Sequence, residues 1–154
     1  MPMTWLELEE AVRQQRSAGV ITMQRISRST TMTSIAAADE LARAVGYKPL
    51  GNRWVPLSPD DATIVLLLVL ERDLAYGESL MDRILAERLA VEFLGSVGEH
   101  ASFFTNGSWA EPPLTPRGLP RGQSWEPLSH ATIDAGVLGV GPQQAAILWA
   151  EDED

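Results

Sequence analysis

The stretch that most constrains the fold of this chain is 131–154, ATIDAGVLGVGPQQAAILWAEDED. Residues 132–140 and 145–150 are apolar on both faces of an alternating pattern, and Gly141-Pro142-Gln143-Gln144 is a turn between them. Thr132, Asp134, Gly136, Leu138 and Val140 point one way, and Ile133, Ala135 and Val137 point the other. A hairpin apolar on both faces has to lie inside a sheet, with other elements packed against it. It runs directly into Glu151, Asp152, Glu153 and Asp154, so four carboxylates follow an ordered strand.

The rest of the chain supplies the covering elements. Thr4 and Glu7 form a capping box, and Trp5, Leu8 and Val12 recur at helical spacing, so a first helix ends near residues 17–19. Residues 20–26 read as a strand, and the hydroxyl-rich 27–34 as a loop or a solvated continuation. Thr33 or Ser34 caps a helix over 35–45 that Gly46 stops. Arg53-Trp54-Val55 is at most a short strand. Ser58-Pro59-Asp60-Asp61 places a cap, a first-turn proline and two acids against the helix dipole. The helix it starts carries the apolar run 64–70 and is the central one of the core. Gly77 breaks it. A further helix is expected from about Ser79, with Met81, Leu85, Leu89 and Phe93 at four-residue spacing. Residues 101–105 form a strand ended by the Asn106-Gly107 turn. Residues 110–127 form a proline- and glycine-rich loop. The expectation is one α+β domain over 1–154. It has an antiparallel sheet ending in the C-terminal β-hairpin, and three to four helices packed mainly on one face.

Charge and composition narrow the function classes. The net charge is −9, with 21% charged and 45% hydrophobic residues, ordinary values for a folded domain. An acidic surface repels phosphate backbones and favours a protein partner with a basic surface, so direct nucleic-acid binding is not expected. The chain has no cysteine, which excludes disulfides and thiolate chemistry. No secretory leader is visible, and the longest apolar run is far shorter than the ~20 residues of a membrane span. A cytoplasmic protein without membrane contact is expected. Arginine outnumbers lysine eleven to one, which points to a GC-rich bacterial coding sequence.

Few residues suggest chemistry. No G-x-S-x-G elbow and no phosphate-binding glycine-lysine loop is present, and no cofactor is expected. A small enzyme is conceivable only if His100, His130 and Asp134 meet as an acid–base or metal group. The partner-binding candidates are Trp109 and Trp125 at the edges of the loop, Arg117 and Arg121 within it, and the acids Glu151, Asp152, Glu153 and Asp154. Tryptophan anchors set residence time, and acids speed the encounter with a basic surface.

This build, a small acidic domain without a catalytic signature, is similar to the immunity proteins that bacteria pair with toxins and to small phage-encoded inhibitors. The likeness is one of composition and rests on no motif. It implies a non-catalytic inhibitor that blocks a basic protein. An adaptor or subunit of a larger, defence-related assembly, docking through the loop, is the alternative.

Overall fold

The computed structural model describes residues 2–28, 31–111 and 124–153. They form α1 (Trp5–Gln15), β1 (Val20–Ser27), α2 (Ser34–Ala44), a 3-10 turn (Gly51–Arg53), β2 (Val55–Leu57), α3 (Pro59–Glu71), α4 (Arg83–Gly95), β3 (Ser102–Thr105), β4 (Ile133–Val140) and β5 (Gln144–Asp152). The strands make one antiparallel sheet in the order β1-β5-β4-β3-β2, so the C-terminal hairpin lies in its middle. The fold is α+β, as the sequence pattern implies. Among the described residues no helix is long and apolar enough to cross a membrane.

Local chemistry explains the helix starts. The Thr4 hydroxyl accepts the Glu7 amide, and the Glu7 carboxylate returns a bond to the Thr4 amide. Thr33 and Ser58 cap α2 and α3 with the hydroxyl alone, accepting the amides of Ala36 and Asp61. The last helix begins at Arg83, four residues later than the sequence pattern suggests. Residues 73–80 are occupied by a turn in which the Asp73 carboxylate accepts the amides of Tyr76 (2.6 Å) and Glu78 (2.9 Å). Asp82 then caps α4 through the Leu85 amide.

The two-sided apolarity of β4 and β5 is answered by cover on both faces. Helices α1, α3 and α4 pack on one face, where Ala135, Val137, Leu148 and Ala150 meet Val12, Val65, Val69 and Phe93 in one buried cluster. Helix α2 covers the other face together with Tyr47, Trp54 and Leu128, against Leu138, Ile147 and Trp149. Three of the four helices thus share a face, and α3, which contacts α4, β2, β3 and β4, is the central one.

The turn after β3 ties the sheet to the segment that returns at Ser124. Asp134 is fully buried, and its carboxylate accepts Asn106 Nδ2 (2.9 Å), Trp149 Nε1 (3.0 Å), the amides of Leu128 and Ser129, and the Ser129 hydroxyl (2.8 Å). Asn106 in turn accepts the Trp109 indole N–H at 2.7 Å. A buried carboxylate is tolerated where its lone pairs are all engaged, and five donors engage this one.

Candidate cleft at the acidic end of the sheet

One end of the sheet gathers the start of β4, the end of β5, the start of β1 and the end of β3. The acids of the C-terminal strand and the tryptophans at the loop edges therefore share one end of the molecule, although more than twenty residues separate Trp125 from Glu151 in the chain.

Strand alternation gives the acids different surroundings. Asp152 points to the helical face, where it is 3% exposed and binds Arg16, with Nη2 to Oδ2 at 2.7 Å. It also accepts the Leu74 amide at 2.7 Å. Glu151 and Glu153 point to the opposite face. Glu151 Oε2 lies 2.7 Å from the Tyr47 hydroxyl, which donates its proton to the carboxylate. The Thr22 hydroxyl, 2.8 Å from the same phenol oxygen, supplies the complementary bond. Glu153 Oε2 accepts the amide (3.2 Å) and hydroxyl of Thr132. The expectation that Asp152 faces a partner is thereby corrected: its carboxylate is held in the interior. Asp154, Arg117 and Arg121 lie outside the described residues.

Glu151 and Glu153 line a cleft of about 720 Å³ with Tyr47, Lys48, Leu128 and His130. The end of β5 supplies Glu151, the residue just past it is Glu153, the segment after α2 supplies Tyr47 and Lys48, and the turn before β4 supplies His130. Lys48 is pinned through its backbone amide to the Leu128 carbonyl at 3.1 Å. Burial pushes the Tyr47 phenol far above its ordinary range. The hydrogen bond from Thr22 opposes that shift, and the Glu151 carboxylate adds to it. The hydroxyl therefore stays a donor to Glu151 throughout the neutral range. Both glutamates are held through Oε2, which leaves a second oxygen on each for a ligand.

The tryptophans are arranged differently from a pair of presented anchors. Trp109 is only 2% exposed and packs in the helical-face core. Trp125, half-buried, lays its ring on Trp109 with centroids 5.2 Å apart. The Ser108 amide donates to the Ser124 carbonyl (3.1 Å), and the Glu126 amide to the Asn106 carbonyl (2.8 Å). The pair joins the segment after β3 to the segment before β4.

The histidine group is not assembled. His100 precedes β3 at the end of the sheet where Ser102 pairs with Val140. His130 precedes β4 at the end where Ile133 pairs with Asp152. The eight residues of β4 separate these ends, roughly 23 Å at the usual strand rise. Both imidazoles are exposed, and the lone pairs of Asp134 are already taken. Among the described residues no group of three or more His, Asp or Glu side chains is placed to hold a metal ion.

Sequence reasoning finds Glu151 and Glu153 but misses Tyr47, Lys48 and Thr132. Nothing local in Tyr47-Lys48-Pro49 links it to residue 151. The link exists only because α2 packs across β4 and β5. Compared with protein-family models, curated proteins and solved structures, the chain matches none of them.

Proposed function

We propose that this protein is a non-catalytic binding module that engages the basic surface of a protein partner through the Glu151–Glu153 cleft. The observation that carries this reading is the fixed presentation of two carboxylates on one side of the chain at the end of β5, each held by a hydroxyl donor and each retaining an oxygen. Side chains already ordered lose little entropy when a lysine or arginine of the partner docks on them. Two carboxylates against one lysine give the cleft a net negative charge, in line with the −9 of the whole chain. Where the basic surface belongs to the partner's own working site, occupying it is inhibition. That is the inhibitor or immunity-type role suggested by the composition.

The test is an amide NMR titration with an arginine-rich peptide, repeated at rising salt. The reading expects shifts at Tyr47, Lys48, Ser129 to Thr132 and Glu151 to Glu153, and an affinity that falls steeply with ionic strength. The double variant Glu151→Gln with Glu153→Gln abolishes them. Shifts located elsewhere, or unchanged in the double variant, would overturn it.

A further inference from the structure

The two edges of the sheet are unlike. The β2 edge is three residues long and carries Pro56, which cannot donate to a further strand. The β1 edge is eight residues long and, among the described residues, pairs with β5 on one side only. Its hydrogen-bond parity is fixed by two observations. The Arg28 amide, continuing the β1–β5 register, donates to the Gln143 carbonyl at 3.0 Å, so even-numbered residues bond to β5. The Ile21 carbonyl is instead taken by Arg13 Nη1 at 2.6 Å, so odd-numbered residues direct their backbone groups outward. Arg13 covers the edge at Ile21, and beyond it, among the described residues, the outward groups of Met23, Arg25 and Ser27 meet no other strand.

This edge is also the basic part of an acidic molecule. Residues 11–38 contain four arginines and no Asp or Glu, in a chain of net charge −9. Two of the four lie in ion pairs, Arg16 with Asp152 inside the protein and Arg13 with Glu9 on the surface of α1. Arg25 is exposed on β1, its guanidinium 5.5 Å from the Trp5 ring centroid. Arg28 follows directly and is held by the carbonyls of Gly141 and Met32.

We infer that the β1 edge is a strand-addition surface for an extended, acidic segment of a partner protein, which pairs with the outward backbone groups of Met23, Arg25 and Ser27 while its carboxylates meet Arg25 and Arg28. Backbone pairing supplies the affinity, and the sign of the flanking charge selects the segment. A second copy of this chain is disfavoured, since its own edge carries the same arginines and its net charge is equally negative. This surface is distinct from the Glu151–Glu153 cleft and of opposite sign. A protein carrying both has the geometry of an adaptor.

The experiment is residue-resolved amide hydrogen exchange on the full chain, with and without a capped eight-residue peptide alternating Glu and Val. In the free protein the amides of Thr22, Gln24 and Ile26 exchange slowly, and those of Met23, Arg25 and Ser27 exchange fast. Saturating peptide slows these three by about tenfold or more, while a Lys/Val peptide of the same length does not. Arg25→Glu weakens the Glu/Val peptide by about tenfold. Ser27→Pro, which removes only an outward donor, keeps the native spectrum and also weakens binding. The inference is overturned if the Lys/Val peptide protects equally, or if the peptide leaves the three amides unprotected. It is also overturned if they become protected with rising protein concentration alone, which would identify self-pairing. Failure here leaves the cleft titration unaffected, because the probes differ in sign and the reporting residues do not overlap.

Discussion

Arg16 and Asp152 meet inside the protein, Nη2 to Oδ2 at 2.7 Å, with side chains 0% and 4% exposed. The guanidinium also donates to the carbonyls of Val69 (2.5 Å) and Ala18 (2.6 Å), and the carboxylate accepts the Leu74 amide. One ion pair thus joins the end of α1, the end of α3 and the last residues of β5. Gly19 makes room for it: φ is 63°, and a Cβ there would stand 2.0 Å from Asp152 Oδ1. Removing one charge strands the other in the interior. Asp152→Asn is expected to lower stability by about 3–5 kcal/mol in chemical denaturation. The double variant Arg16→Met with Asp152→Leu should cost less than the two single changes together.

Tyr47 links stability to alkaline pH. Burial, with Glu151 beside the hydroxyl, raises the folded-state phenol well above the ordinary 10.0. Above that value the unfolded tyrosine loses its proton while the folded one keeps it. The folded state then binds more protons, and stability falls as pH rises. Denaturation midpoints at about pH 9 and about pH 11 should show the decline, and Glu151→Gln should make it shallower. An equal decline in that variant would mean that the carboxylate adds nothing to burial.

Asn106 holds three elements with one amide. Its Nδ2 donates to the Glu126 carbonyl and to the carbonyl and carboxylate of Asp134, while its Oδ1 accepts Trp109 Nε1. Asn106→Ala leaves a buried indole N–H and a buried carboxylate short of partners. A loss of about 2–4 kcal/mol is expected, read from thermal or urea unfolding.

The tryptophan clamp should respond unequally to truncation. Trp109→Ala empties a core site and is expected to cost about 3–5 kcal/mol. Trp125→Ala, at a half-buried ring, should cost about 1–2 kcal/mol. Gly107→Ala tests the clamp from the other side, because a Cβ there would lie 2.5 Å from the Ser124 carbonyl and 2.6 Å from Trp125 Cβ. Overpacking of this kind costs about 1–3 kcal/mol, and the Trp125 signal in near-ultraviolet circular dichroism should change with it.

The helix caps at Thr4, Thr33 and Ser58 were legible in the sequence because each lies within three residues of the amide it serves. So was the face assignment of β4, since alternation is a local property. The late start of α4 was not, because Asp73 draws the following residues into a turn that no periodicity reveals. The same period of two that orders β4 also separates Asp152 from Glu151 and Glu153, once the strand is known to reach residue 152. The partners Arg16, Tyr47 and Thr132 were beyond reach, because each meets its acid only through tertiary packing. Grouping the acids by adjacency in the chain therefore hid the fact that one is internal and two line a cleft.

The position of β5 between β1 and β4 also sets a timetable. Val20 finds its partner only at Glu151, on the order of 130 residues later. At ~5–20 residues per second, a ribosome holds β1 without a neighbour for roughly 6–26 seconds. During that interval β1 is complete and the side that β5 will take is open. A neighbouring nascent chain that has just released its own β5 offers the same register in trans. Crowded translation would then yield interlocked dimers in which each copy completes the other's sheet, while slow, dilute synthesis would yield monomers.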